Sequence, residues 1–139
     1  MLRPVATRAL PLLLIACALA AGCGDSGPSD EQRIRETLTD FERAAGAGDH
    51  ATLCDRVLAA RLIDTLEQIG LPCETALAKA LEGLREPQIS VGTVSVDGDR
   101  ATAQVRSSAA GQAPSEDTVD LVRVADGWRI ASLGGDAAP

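Results

Sequence analysis

The sequence predicts an α+β domain in which N-terminal helices pack on a curved, four-stranded antiparallel sheet. Between residues 30 and 84, apolar residues recur at helical spacing. After Pro87, valine, threonine and isoleucine alternate with polar residues, as in strands with one wet face. About 117 residues remain from Cys23 onwards, which suits one domain with a single modest core.

The first helix is predicted by a start signal and by its periodicity. Ser29-Asp30-Glu31-Gln32 matches a capping box, in which a serine and a glutamine exchange hydrogen bonds with backbone N–H groups. Gly46 and Gly48 predict the end of this helix. Its apolar residues share one face, namely Ile34, Leu38, Phe41 and Ala45.

Two further helices are predicted before Pro87. Asp49 has the position of an N-cap for the second helix, whose apolar pattern continues to Ile69 with a break around Ala59-Ala60. The third helix extends from Cys73 to about Leu84, because Pro87 prevents its continuation.

Four strands are predicted after Pro87, joined as two hairpins with a loose loop between them. They cover residues 88–96, 100–107, 118–124 and 128–133. The apolar phase shifts inside the first strand, which indicates a bulge at Gly92-Thr93. Asp97-Gly98-Asp99 and Ala125-Asp126-Gly127 are the predicted hairpin turns.

Residues 1–22 have the composition of a bacterial export signal, with Arg3 and Arg8 before an apolar run. The run of 14 residues would span only ~21 Å as a helix, less than the ~30 Å of a hydrocarbon core. Leu19-Ala20-Ala21-Gly22-Cys23 resembles the lipobox of bacterial lipoproteins, although Ala20 stands where leucine is usual. The resemblance implies that Cys23 receives a diacylglyceryl group. The alternative is ordinary secretion with Cys23 left as a thiol.

The lipobox divides the chain into four parts. Residues 1–22 are the predicted signal peptide and 23–30 a flexible, Gly- and Ser-containing tether. Residues 31–134 form the folded domain, and 135–139 are a frayed tail. The expected location is the extracytoplasmic face of the cell membrane, with the lipid at Cys23 as the membrane contact.

Charge excludes some partners. Without Arg3 and Arg8, the mature chain has 11 basic and 20 acidic residues, a net charge of −9. Such a chain is a poor partner for nucleic acid and is repelled by anionic headgroups. Lys79 is the only lysine and alanine is abundant, which indicates a high-GC bacterium such as an actinobacterium.

The cysteines predict a structural disulfide. Cys17 belongs to the signal and Cys23 to the lipid anchor, which leaves Cys54 and Cys73 as a pair. Two thiols and His50, the only histidine, cannot supply four soft ligands, so no metal site is predicted. A redox role lacks a Cys-x-x-Cys motif. No cofactor is predicted.

The order of elements and three local features resemble the nuclear transport factor 2-like superfamily, in its SnoaL-like or cystatin-like α+β form. The features are the hairpin 124–130, the junction Ala47-Gly48-Asp49 and the pair Cys54/Cys73, which together are similar to small actinobacterial lipoproteins. The resemblance covers most of residues 31–133. It implies a curved sheet that wraps helices into a cone. The strand pair that fuller members insert before the third helix is not found.

Members of this superfamily include isomerases, cyclases and dehydratases, but also non-catalytic binding proteins, so the fold alone implies no activity. No catalytic residue is predicted, because the chain lacks tyrosine, a nucleophile motif and a phosphate-binding loop. We therefore expect a lipid-anchored binding domain whose partner is an envelope protein or a small apolar ligand. Phe41 and Trp128 are the candidate pocket residues.

Two alternatives stay open at this point. The first is an isomerase or cyclase that draws an acid or base from His50, Asp40 or Asp49, held in the cone against Phe41 or Trp128. The second is an accessory subunit whose exposed sheet face seats another domain, which requires an apolar patch on that face.

Overall fold

The computed structural model describes residues 27–133. Four helices come first: α1 (Asp30–Ala47), α2 (His50–Thr52), which continues as a π-helical turn (Leu53–Val57), α3 (Ala60–Gln68) and α4 (Cys73–Ala80). Four strands follow: β1 (Gln88–Asp97), β2 (Arg100–Ser108), β3 (Ser115–Val124) and β4 (Gly127–Leu133). They form an antiparallel sheet in the order β1-β2-β3-β4, which confirms the predicted fold class.

The predicted signal peptide 1–22, Cys23 and the tail 135–139 lie outside the described residues. Within residues 27–133, no helix combines the length and the apolar character that crossing a bilayer requires.

The start and the end of α1 follow the predicted signals. The Ser29 hydroxyl accepts the Gln32 N–H at 3.2 Å, and the Gln32 side chain accepts the Ser29 N–H at 2.8 Å. Gly48 ends the helix in the left-handed conformation, with φ 67°, which glycine adopts at little cost. Ile34 and Leu38 are buried on the predicted face, while Phe41 is half-buried.

The segment after Asp49 differs from the predicted second helix. α2 is short, a π-helical turn follows it, and Leu58 and Ala59 are extended before α3 begins. Leu58 pairs in parallel with Ile130 of β4, and the Ala59 N–H donates to the Ile130 carbonyl at 2.8 Å. The break occurs where the sequence indicated it, and its cause is tertiary: the chain leaves the helix to cover the edge of β4.

Two predicted boundaries are wrong. α4 ends at Ala80 instead of Leu84, and residues 81–83 continue as turns, with Gly83 at φ 75°. β3 begins at Ser115 instead of Thr118. Its polar start is held to β2 by a Ser107–Ser115 hydroxyl contact of 2.9 Å and an Arg106–Glu116 ion pair of 2.9 Å, to which sequence periodicity is insensitive.

The predicted bulge is present between Val91 and Val94, and a second one lies in β4 at Ala131, between the partners of Asp120 and Leu121. Gly92 allows the first bulge to approach β2 closely, because a Cβ there would lie 3.3 Å from the Gln104 carbonyl oxygen. Bulges bend the strands in which they occur.

Apolar side chains fill the space between helices and sheet. The largest that are fully buried are Ile34, Leu38, Leu53, Leu121 and Ile130. No polar or charged residue is buried in the part of the chain that the structure describes. On the opposite face of the two central strands most side chains are polar, namely Thr102, Gln104, Arg106, Thr118 and Asp120, while Val122 and Val124 at the end of β3 are half-buried.

Side chains of α1 satisfy backbone groups of β1. The Arg35 guanidinium donates to the carbonyls of Val91 and Gly92, both at 2.8 Å. The Glu42 carboxylate accepts the Ile89 N–H at 2.6 Å. These bonds join the helix to a sheet edge that would otherwise present unpaired groups.

Candidate functional site

A small apolar pocket opens between the helices and the sheet, where β1 begins and β2 ends. Its volume is about 190 Å³. Four of its lining side chains are half-buried, pack against the core and remain accessible on one side: Phe41, Leu81, Leu84 and Ile89. Ala45 and Pro87 complete the apolar part. We call this feature the apolar pocket.

Polar and small residues surround the apolar pocket. Gln88, Ser108, Gln112 and Ser115 lie among its lining residues, and the loop 109–114 between β2 and β3 forms one wall. On the other side, Glu86 has a left-handed backbone with φ 51°, directly before Pro87. Such a conformation is unusual for a residue other than glycine and is found most often where the surrounding structure or function requires it.

A second cavity, which we call the polar cleft, lies between the first half of α1 and the β3–β4 hairpin. Its volume is about 470 Å³. Three arginines and three acids line it, so its charges are balanced: Arg33, Arg56, Arg129, Glu36, Asp40 and Asp126. Arg129 and Asp126 pair at 3.0 Å. The mixed lining gives no single chemical preference for a ligand.

The structure does not bring the two predicted pocket residues together. Phe41 lines the apolar pocket. Trp128 is only 3% exposed, belongs to the core and borders the polar cleft instead. The separation follows from their positions on opposite halves of the domain: Phe41 lies in the second half of α1, whereas Trp128 contacts its first residue.

A three-residue clamp holds Trp128 and the start of α1, and the sequence did not predict it. Arg123 donates to both carboxylate oxygens of Asp30, at 2.7 and 2.6 Å. The indole N–H of Trp128 donates to the same carboxylate at 3.2 Å, and the Arg123 guanidinium lies 4.6 Å from the Trp128 ring centroid. Asp30 and Arg123 are 93 residues apart, and nothing in a single sequence indicates that two such residues are in contact.

The clamp shifts the pKa of both charged partners. Hydrogen bonds from Arg123 and then Trp128 lower the pKa of Asp30 below its ordinary value, because they stabilise the ionised carboxylate. The same pairing with Asp30 raises the pKa of Arg123.

Cys54 and Cys73 form the predicted disulfide. Both residues are buried, and the bond joins the π-helical turn to the first residue of α4. The polypeptide continues from α4 into the turns that carry Leu81 and Leu84. The disulfide therefore fixes the helix on which one wall of the apolar pocket depends.

The three candidate acids or bases, His50, Asp40 and Asp49, lie outside the apolar pocket. Asp49 caps α2, and hydrogen bonds from the Thr52 N–H and hydroxyl lower the pKa of its carboxyl. Asp40 pairs with Arg43 and lies exposed at the polar cleft, which it shares with Trp128. His50 is half-buried at the start of α2.

The described residues contain no group of three His, Cys, Asp or Glu side chains placed to hold a metal ion.

Comparison with known proteins places this architecture. No protein-family model and no curated protein matches the chain. Helices packed on an open four-stranded antiparallel sheet define an α+β cone. The solved structures that share it include two NTF2-like proteins of unknown function, from Silicibacter pomeroyi and from Shewanella baltica.

The Silicibacter protein is 19% identical with a TM-score of 0.52, over 71% of this chain and 87% of that one. The Shewanella protein is 12% identical with a TM-score of 0.53, over 73% of this chain and 88% of that one. Identities this low establish the fold alone. The chain therefore has the nuclear transport factor 2-like fold that its sequence resembled.

Proposed function

We propose that the protein is a lipid-anchored, non-catalytic binding domain on the extracytoplasmic face of the cell membrane, and that the apolar pocket is its binding site. The observation that carries this proposal is the pocket itself, an opening of half-buried apolar side chains into the core. The lipobox at Cys23 and the Cys54–Cys73 disulfide support an oxidising location outside the cytoplasm.

The distribution of titratable groups favours binding over catalysis. An isomerase or cyclase of this fold requires an acid or a base in an apolar cavity, where burial adjusts its pKa. In residues 27–133, no titratable side chain is buried, and Asp49 is held ionised by its cap hydrogen bonds. The accessory-subunit alternative requires an apolar outer sheet face, whereas the central strands present mainly polar side chains there, with Val122 and Val124 half-buried.

The size of the apolar pocket favours a single apolar side chain of an envelope protein as its occupant. About 190 Å³ is less than the roughly 300–1,000 Å³ of sites that enclose small ligands. An apolar centre surrounded by Gln88, Ser108 and Gln112 has the anatomy of a protein–protein anchor site, in which a polar rim excludes water from a buried contact.

Filling the pocket tests its role. Ala113 is an exposed pocket residue, so Ala113→Trp is expected to occupy the opening without disturbing the core. A photo-crosslinking residue at Gln112 should capture an envelope protein in intact cells, and the crosslink should disappear in the Ala113→Trp background. Ala125→Trp, in the exposed β3–β4 turn, is the matched control and should leave the crosslink unchanged.

A crosslink that survives Ala113→Trp would contradict the pocket as the binding site. The neutral fluorophore Nile red distinguishes the alternative occupant. Two results together would favour a small apolar ligand over a protein partner. Nile red would bind the purified domain saturably and lose this binding in Ala113→Trp, and cells would show no pocket-dependent crosslink.

The anchor is tested separately. Cells fed an alkyne-bearing fatty acid should incorporate the label into the wild-type protein, and Cys23→Ala should abolish it, because Cys23 is the proposed lipid attachment site. Release of the Cys23→Ala protein from the membrane fraction is the expected second result. An unlabelled wild-type protein would contradict the lipid anchor while leaving the pocket untouched.

A further inference from the structure

The apolar pocket and the start of α1, which follows the lipobox cysteine in the chain, lie at opposite ends of the domain. α1 begins at Asp30, a short way along the chain from Cys23, and its second half carries Phe41 and Ala45 to the pocket. At a rise of 1.5 Å per residue, Phe41 lies about 16 Å and Ala45 about 22 Å along the helix axis from Asp30.

The connections between the strands are also divided between these two ends of the domain. Arg123, near the β3–β4 turn, binds Asp30, and its backbone N–H donates to the Asp99 carbonyl in the β1–β2 turn at 2.8 Å. Both hairpin turns therefore lie at the end where α1 begins, and Ala125 lines the polar cleft together with Pro28. The β2–β3 loop, with Ala113, lies at the pocket end.

The tether is short in comparison with the domain. Cys23 and Gly27, the first described residue, are separated by four peptide units, which reach at most about 14 Å when extended. α1 alone is about 27 Å long. The net negative charge of the mature chain also opposes flat contact with a bilayer that carries anionic headgroups.

From this geometry we infer that the domain stands on the membrane by the end that holds the start of α1 and the two hairpin turns, so that the apolar pocket opens away from the bilayer. The inference rests on the proposed anchor at Cys23. It assigns the pocket to a protein segment that approaches from outside the membrane, and it excludes acyl chains of the host bilayer as occupants.

Fluorescence quenching at two matched positions tests this orientation. The mature chain is coupled through Cys23 to a maleimide lipid and bound to vesicles of phosphatidylcholine and phosphatidylglycerol whose headgroups carry a quencher. Cys54 and Cys73 do not react, because they are disulfide-bonded. A fluorophore is attached through an azide-bearing amino acid in place of Ala125 or of Ala113, two exposed loop alanines at opposite ends.

Quenching is expected to be several-fold stronger at position 125 than at position 113. Chain that has not been coupled to lipid should be quenched at neither position, which shows that quenching depends on the anchor. Equal quenching at both positions, or stronger quenching at 113, would overturn the inference.

The quenching result does not depend on acylation in the cell, because the lipid is attached chemically. It does not depend on a ligand either, because the purified chain is measured without a binding partner. Failure of the orientation is therefore distinguishable from failure of the proposed anchor, which fatty-acid labelling measures, and from failure of the pocket, which Ala113→Trp measures.

Discussion

At the residue scale, Asp30 connects the first helix to residues more than 90 positions further along the chain. It accepts hydrogen bonds from Arg123 and Trp128, and it lies in the first turn of α1, where a negative charge is favourable to the helix dipole. The clamp holds the beginning of the first helix to the last hairpin. The clamp thus fixes the end of the domain at which α1 begins.

Removing the Asp30 charge should destabilise the domain in a pH-dependent manner. Asp30→Asn is expected to lower the thermal unfolding midpoint at neutral pH, because Arg123 loses the carboxylate that accepts two of its hydrogen bonds and retains only the longer contact with Asp99. The pKa of Asp30 is lowered by folding, so its contribution exists above the pKa of the unfolded state and is lost as the pH falls below about 4. The wild-type and Asp30→Asn midpoints should converge there, as measured by circular dichroism.

Glu31→Gln provides the control for this comparison, because it removes a charge from the same helical turn and leaves the clamp intact; it breaks only the exposed Glu31–Arg35 pair, which contributes little to stability. A pH-independent gap between wild type and Asp30→Asn would show that the carboxylate charge is not what stabilises the clamp.

At the scale of elements, the disulfide and the π-helical turn determine how α4 lies in the fold. The Cys54–Cys73 bond closes a loop with a sequence separation of 19 residues. It connects the turn that leads to Leu58, at the β4 edge, with the helix that leads to Leu81, in the apolar pocket. The disulfide thus joins the two segments after which the chain leaves a helix, before Leu58 and at Leu81.

The double variant Cys54→Ala/Cys73→Ala should lose about 3 kcal/mol of unfolding free energy, the value expected from loop-closure entropy for a loop of this length. Denaturant unfolding with and without a reducing agent measures the loss. Reductant should destabilise the wild type by a similar amount and leave the double variant unchanged. If reductant had no effect on either protein, the bond would not contribute to stability.

Elements whose boundaries depend on local signals were predicted correctly. Elements whose boundaries depend on a partner distant in the chain were not. The capping box at Ser29, the glycine end of α1 and the bulge at Gly92 are local and were predicted. The extended Leu58 depends on Ile130, and the early start of β3 depends on pairs with β2. Neither partner is recognisable from the periodicity of one strand or helix.

The candidate site shows the same division. Phe41 was a candidate because it lies on the apolar face of α1, and it does line the apolar pocket. Trp128 was grouped with it as the only other large aromatic residue, but the 3.2 Å bond to Asp30 holds it at the opposite end. Leu84 and Ile89 were predicted as ordinary helix and strand residues, since their exposure at the pocket arises only from tertiary packing.

At the scale of the whole molecule, buried apolar side chains fill the space between the helices and the sheet, and the apolar pocket lies at the margin of this core. Leu121 is 1% exposed and lies at the centre of the sheet, opposite Ile34 and Leu38 in the same apolar cluster. A filled core of this kind stabilises a small domain, because it removes apolar surface from water.

Leu121→Ala should cost about 2–5 kcal/mol of unfolding free energy, because it removes buried methyl groups and leaves a cavity that the surrounding side chains fill only in part. Leu133→Ala, at a leucine that is 41% exposed, is the matched control and should cost less than about 1 kcal/mol. Urea unfolding of both variants gives the comparison. A loss at Leu121 no larger than at Leu133 would indicate that the core is loosely packed.

The side chains and backbone that occupy the sheet edges matter most if the proposed lipid anchor confines the protein to the plane of a membrane. Molecules held on one membrane by acyl chains would meet side by side far more often than molecules in solution, and two open sheets that meet in this way can join into a continuous ribbon. Arg35 and Glu42 already engage backbone groups of β1, and Ala59 engages Ile130 of β4. These contacts occupy backbone groups at both edges of the sheet, so crowded molecules would be less able to pair edge to edge.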